Sequence, residues 1–229
     1  MKQWLQVCDL THEGCRRRNE DSAMTMPTRL IELGETIRLV NCSTIQASPY
    51  VALSHCWGPL KDNEKFCAWK AKIQDLEKSI TFRSLPRTFQ HAITVARGLD
   101  INYIWIDSLC IIQDDPEDWE RESARMEQVF SNAYCTIGAS SAGSSLEGFL
   151  WDRTPRACVQ LQTKRLGTLY VCPNIDDFHH DVEEGKLNRR GWVLQERALS
   201  RRSIFYSSTQ VYWECGDGVQ CETLARLRK

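Results

Sequence analysis

The sequence predicts an α/β fold: a mostly parallel sheet flanked by helices, with added β-hairpins at the N- and C-terminal ends. Three observations lead there. Apolar runs of a length suited to buried strands recur at 50–58 (YVALSHCWG), 101–107 (INYIWID) and 134–140 (YCTIGAS). Segments with apolar residues at helical spacing separate them. Near each end of the chain, two strand-like stretches lie close enough together to form a hairpin.

Taken in order, the first 20 residues read as helical and carry Trp4, Cys8, His12 and Cys15. TRLIEL (28–33) and TIRLV (36–40) flank Gly34 and Glu35 as the first hairpin. The run at 50–58 is stopped by Gly58 and Pro59. Residues 61–80 predict a helix with Trp69, Ile73 and Leu76 on one side. Pro86 suits the first turn of the next helix, Phe89, Ile93 and Ala96 continue it, and Gly98 closes it. Asp118, after Pro116, is the expected N-cap of a helix with the stripe Met126, Val129, Phe130 and Ala133. TLYVC (168–172) is the expected fourth strand. RGWVLQERALS (190–200) follows as a helix or turn, then SIFYS (203–207) and QVYWEC (210–215) as the terminal hairpin. Residues 1–45 are expected to form an N-terminal extension and 46–229 the main domain, the two making one compact unit. The end at RLRK, soon after a strand, points to a longer parent chain.

Composition narrows the function classes. A hydrophobic fraction of 42% with 26% charged residues is that of an ordinary globular protein. The net charge of −1 argues against a dedicated nucleic-acid binder. No apolar run approaches the roughly 18–20 residues of a membrane span. The polar N-terminus is no secretory signal, so the eleven cysteines are expected to be reduced thiols of a cytoplasmic protein.

In open α/β sheets ligands collect beyond the carboxyl ends of the strands, which singles out Ser54, Asp107 and Ser140. Ser54 and His55 point to opposite faces of an extended strand and cannot form a dyad. Ser54 reads instead as a small polar group at the strand end, with Trp57 as a stacking wall. Pairing Cys56 or Cys110 with His55 or His91 as a cysteine protease has no local signature. Asp107 suits a ribose hydroxyl, a metal or a base, or simply caps its turn. Gln113, Asp114 and Asp115 add oxygen donors that leave a magnesium site open, though their spacing matches no known metal loop. Cys8, His12 and Cys15 fall at i, i+4 and i+7, so three soft ligands share one helix face. They suit a structural zinc, with Cys42 as a guess for the fourth ligand, or else pack the helix onto the domain. Trp192 and Glu196 also share a helix face, and an indole neighbour desolvates a carboxylate and raises its pKa. The alternative is a surface pairing of Glu196 with Ser200 or an arginine.

Three blocks, in order, resemble the signature blocks of the fungal heterokaryon-incompatibility (HET) domain: YVALSHCWG, IWIDSLCIIQDDPEDWERESARMEQVFSNAYCTIGAS and RGWVLQERALSRR. The leading W-x3-C-x3-H-x2-C segment and PTRLIEL resemble what often precedes that domain. His55 and Cys56 stand where the family more often has an aromatic and a small apolar residue, and Ile112 where asparagine is common. HET domains are similar to TIR domains, which have a flavodoxin-like sheet and often cleave NAD at the nicotinamide–ribose bond with one glutamate. Trp192 and Glu196 keep the Trp-to-Glu spacing of the TIR signature.

The resemblance thus implies Glu196 as the catalytic carboxylate. It implies Ser54, Trp57, Gly58, Asp107, Gln113, Arg190, Trp192 and Gln195 as substrate-binding residues, with Arg190 on the pyrophosphate. NAD or a related nucleotide would be substrate, and the protein an effector of non-self recognition and programmed cell death, a form of fungal innate immunity. Self-association or a non-self recognition partner would complete the site. Two other readings stand beside it: a non-catalytic signalling or assembly module, and a HET-fold enzyme of secondary metabolism with another substrate. The chain has no glycine-rich dinucleotide fingerprint, which argues against hydride transfer.

Overall fold

The computed structural model describes residues 1–15, 26–152, 158–163, 165, 167–171, 173, 175–223 and 226–227. Four parallel strands form the centre of a nine-stranded sheet: β3 (Val51–Ser54), β4 (Tyr103–Trp105), β5 (Cys135–Gly138) and β8 (Arg202–Tyr206). They lie in the order β4-β3-β5-β8, so the second strand of the core flanks the first on one side and the third flanks it on the other. Every residue of β3, β5 and β8 is buried. A strand covered on both faces shows an unbroken apolar run rather than alternation, as in YVALS and CTIG.

Antiparallel strands extend both edges. The hairpin β1 (Arg29–Leu33) and β2 (Ile37–Asn41) pairs from Arg29–Asn41 to Leu33–Ile37 and joins β4 through β1. On the other edge, β9 (Val211–Cys215), β10 (Gly218–Cys221) and β11 (Arg226–Leu227) follow β8.

Helices fill the crossovers. Helix α1 (Lys2–Thr11) buries Trp4, Leu5 and Cys8, and Trp4 stacks on Trp213 of β9. Between β3 and β4 lie α2 (Ile73–Lys78) and α3 (Arg87–Gly98); α3 buries Phe89, Ala92, Ile93 and Ala96 at the expected spacing. Between β4 and β5 lie α4 (Asp107–Cys110), α5 (Pro116–Ser123) and α6 (Met126–Asn132). Helix α7 (Gly191–Leu199) leads into β8. The rings of Trp105 and Trp213 are fully buried; each removes roughly 150–250 Å² from water, worth several kcal/mol.

The structure corrects five expectations. Residues 168–171 of the TLYVC stretch lie in β7 (Gly167–Val171), which among the described residues pairs with β6 (Val159–Thr163) in a separate, largely exposed hairpin; Cys172 falls outside the described residues. The fourth parallel strand is β8, within the expected terminal hairpin. Residues 61–80 are not one helix, because Ala68 bonds through its backbone to Ser108 and Gln113 and is pulled into extended geometry. The N-cap of α5 is Asp115, since Pro116 takes the first helical position; Asp118 is instead buried, ion-paired with Arg29 and Arg121. The first helix stops at Thr11, with His12 extended and a further turn at 13–15; the rest of that stretch, 16–20, falls outside the described residues. Finally, Cys158 is disulfide-bonded, so the cysteines are not all reduced thiols; the other nine described are free and buried. Among the described residues no helix is long and apolar enough to cross a membrane.

Candidate functional site

Ser54 ends β3, where the connections leaving the sheet diverge toward β4 on one side and β5 on the other. Its hydroxyl donates a hydrogen bond to Oε2 of Glu196, 142 positions away on α7. Both are buried, at 4% and 5% exposure. The strand alternation sends the next side chain the other way: His55 meets the ring of Phe89 edge-on at 5.1 Å. Arg190, the N-cap residue of α7, fixes the helix against the strand by donating from Nη1 to the His55 carbonyl.

Burial pushes the Glu196 carboxyl up from the ordinary carboxylate range to about 7, and the negative charge of Asp107 adds to the shift. The Ser54 hydrogen bond and the Arg190 charge oppose it without cancelling it. Asp107 opens α4 directly after β4. Its Oδ1 accepts from the Ser108 amide at 2.7 Å and its Oδ2 from Trp57 Nε1 at 2.7 Å. The carboxylate therefore folds back onto the next amide of its own turn and also orients the indole. His55 Nδ1 lies 3.8 Å from Asp107 Oδ1, but burial lowers the imidazole to about 4. A neutral ring makes no ion pair, and among the described residues neither of its nitrogens has a hydrogen-bond partner.

These groups wall a cleft of about 150 Å³ formed by Trp57, Asp107, Gln113, Arg190 and Glu196. Ile111, Trp119, Ser123 and Met126 complete it. Sequence reasoning missed Trp119, although a lone, half-exposed aromatic on the charged helix PEDWERES was a signal for it. Gln113 donates from Nε2 to the Ile111 carbonyl at 2.9 Å. Gly58 has φ +85°, and a Cβ there would collide with Ser144, so chain geometry alone requires this glycine. Gln195 is exposed and does not line the cleft. The Trp192 side chain falls outside the described residues.

The surface-pairing alternative for Glu196 is not what the chain adopts. Ser200 donates to the Glu196 backbone carbonyl at 2.6 Å, and Arg197 pairs with Glu214 at 2.8 Å. Asp114 and Asp115 are engaged elsewhere: Asp114 accepts from the Lys70 amide at 2.8 Å, and Asp115 caps α5. A wider depression of about 750 Å³ lies on another face of α7, lined by Leu194, Arg197, Ala198 and Arg201. It is the larger space, but Glu196 does not line it.

In the wall of that depression the structure brings His12 and Cys15 together with Cys8, joined by Cys215 from the end of β9. Cys42, at the end of β2, is not part of the group. Cys215 was missed because nothing local in VYWECG marks it as a partner of residues some 200 positions earlier.

No curated protein and no solved structure matches the chain. Residues 50–196 match the family described as heterokaryon incompatibility protein (HET), a span that runs from Tyr50 at the head of β3 to Glu196. It covers more than half of the sequence and contains Ser54, Asp107, Arg190 and Glu196; the chain belongs to the heterokaryon incompatibility (HET) family.

Proposed function

We propose that the protein is an effector of non-self recognition and cell death that hydrolyses NAD to nicotinamide and ADP-ribose, with Glu196 as the catalytic carboxylate. The observation that carries this reading is a buried glutamate, held by Ser54, at the wall of a cleft beyond the strand ends. The order of the four parallel strands supports the TIR-like comparison. Counted along the chain it is 2-1-3-4, the order of flavodoxin-like sheets, and Ser54 stands at their topological switch point.

The chemistry follows from charge. A carboxyl near 7 is about half ionised at neutral pH. The nicotinamide ring of NAD is cationic, so its arrival favours the carboxylate against desolvation. When the C1′–N bond breaks, its electron pair leaves with nicotinamide and C1′ becomes an oxocarbenium-like centre. Glu196 stabilises that positive charge. A water oxygen then bonds to C1′, and its proton passes to Glu196 and on to solvent. Trp57, oriented by Asp107, serves as a stacking wall, and Arg190 as the cation for the pyrophosphate.

A cleft of about 150 Å³ is below the ~300–1,000 Å³ of ordinary ligand sites. It has room for the nicotinamide ring, and in this reading self-association supplies the walls for the rest of the molecule. Nicotinamide release from NAD by free and artificially clustered protein tests this. Clustered wild type should be active, and Glu196→Gln should lose at least ~100-fold. Equal rates in the variant would remove Glu196 from this role. The same small volume favours, as a second reading, a non-catalytic assembly module. In that case millimolar NAD would not raise the melting temperature, and neither state would release nicotinamide.

A further inference from the structure

Four side chains from opposite ends of the chain converge where α1 meets the end of β9. The Sγ atoms of Cys8, Cys15 and Cys215 and a ring nitrogen of His12 all lie within 4.8 Å of one another. Cys8, Cys15 and Cys215 are buried and free. Cys215 Sγ is 3.4 Å from His12 Nδ1. Around a tetrahedral zinc with ordinary Zn–S and Zn–N lengths, a sulfur–nitrogen edge is roughly 3.6 Å and a sulfur–sulfur edge slightly longer. The set is therefore already close to the size of a coordination tetrahedron.

The surroundings match a metal ligand set as well. His12 turns Nδ1 toward the sulfurs and holds Nε2 3.2 Å from the Asp217 carboxylate. A metal-bound imidazole is commonly oriented by a carboxylate on its other nitrogen. The Asp217 amide donates to Cys215 Sγ at 3.4 Å, a bond suited to a thiolate. Arg202, fully buried and 2.5 Å from Asp9, supplies positive charge that also acts on Cys8. Three thiolates and a neutral imidazole leave a bound divalent ion with one net negative charge, which such a cation offsets.

We propose that Cys8, His12, Cys15 and Cys215 bind one structural zinc ion that staples the N-terminal helix to the C-terminal edge of the sheet. Three sulfurs and one imidazole are the donor set of closed structural zinc sites, and four protein ligands leave no open position for catalysis. Helix α1 is only 10 residues long, and its first turn has no side-chain cap. A metal tie at its end is thus a plain means of holding it.

The test uses the full chain, purified without a metal-chelating tag from zinc-supplied cells and kept reduced. Elemental analysis should give one zinc per chain, and Co²⁺ exchange should give the visible absorption of a tetrahedral thiolate site. The Cys8→Ser/Cys215→Ser variant should hold none, whereas Cys42→Ser should keep one. Because the double variant risks not folding, Asp217→Asn provides the second measure. It should fold and bind zinc ~10–100-fold more weakly in a competition titration with a chromogenic chelator. Folded wild type that carries no zinc and takes up no Co²⁺ would overturn the proposal. So would a Cys8–Cys215 disulfide in the freshly isolated, unreduced protein.

Discussion

Two buried clusters of titratable side chains serve this fold, and they treat charge in opposite ways. Around Glu196, burial resists ionisation: the carboxyl sits near 7, and His55 nearby is held neutral near 4. Around Cys215, the proposed metal favours ionisation, because only thiolates bind it. The first cluster lies inside the span that matches the HET family, and the second lies outside it, at residues 8–15 and 215. Unpaired burial of groups that prefer water costs stability. On the two proposals, the comparison teaches a division of labour in which the shared core would carry the tuned groups and the flanks would help hold it folded.

The largest expected effect comes from removing the proposed metal. Structural zinc contributes ~10–16 kcal/mol of apparent binding energy in isolated peptides. Even a third of that, at ~2–4 °C per kcal/mol for a chain of this size, lowers the melting temperature by roughly 10 °C. Chelation under reducing conditions, followed by calorimetry, should show the drop. NAD cleavage measured well below the new midpoint should persist. If cleavage vanishes while the chain is still folded, the two clusters are one functional unit and the division fails.

Next in size is Glu196→Gln, which removes the charge and retains an acceptor for Ser54. The folded pKa is raised above its ordinary value near 4.5, so wild-type stability is full below that value and declines as pH rises through about 7. The variant should therefore be more stable than wild type at pH ~8, by on the order of 3 kcal/mol, and nearly equal near pH ~4. Urea melts at both pH values would read the difference. A variant destabilised equally at both would show that Glu196 is a structural acceptor and not a tuned carboxyl.

His55→Phe should have a smaller effect. Neither ring nitrogen has a hydrogen-bond partner among the described residues, and Phe89 already packs edge-on against the ring. Replacing an unsatisfied buried polar ring by an apolar one should stabilise the fold by about 1 kcal/mol at neutral pH. The gain should grow in acid: the folded pKa is lowered, so wild type has this stability above about 6.5 and loses it as pH falls toward about 4. A melt series between those limits checks the slope, and a destabilised variant would assign His55 a buried contact of its own.

Much of this comparison was legible in the sequence, and the missing parts share a cause. The runs 50–58, 101–107 and 134–140 gave the parallel core because a strand buried on both faces cannot alternate. Ser54 and Asp107 followed from their places at strand ends. Position in the sheet was not legible: SIFYS looks the same as a hairpin edge or as the fourth parallel strand, and only its pairing with β5 decides. The helix expected at 61–80 failed for a similar reason, since long-range backbone bonds of Ala68 outweighed local periodicity. The fourth member of the cluster was hidden because α1 must dock on β9 before Cys215 becomes a neighbour of Cys8.

Ser54→Ala is the smallest change and the one that best separates tuning from contact. The hydroxyl favours the ionised form of Glu196, so its removal should push that carboxyl above about 7. Global stability should fall by only about 1 kcal/mol. If Ser54 is a positioning residue, the pH of half-maximal NAD cleavage should move upward while the rate at high pH recovers toward wild type. If it touches substrate, cleavage should fall at every pH and the midpoint should stay in place. The first outcome would make Ser54 to Glu196 what Asp217 is to His12: a neighbour that sets the state of the working group without doing its chemistry. In both clusters the partner then comes from a different element than the group it tunes, so the tuning exists only once the sheet has closed.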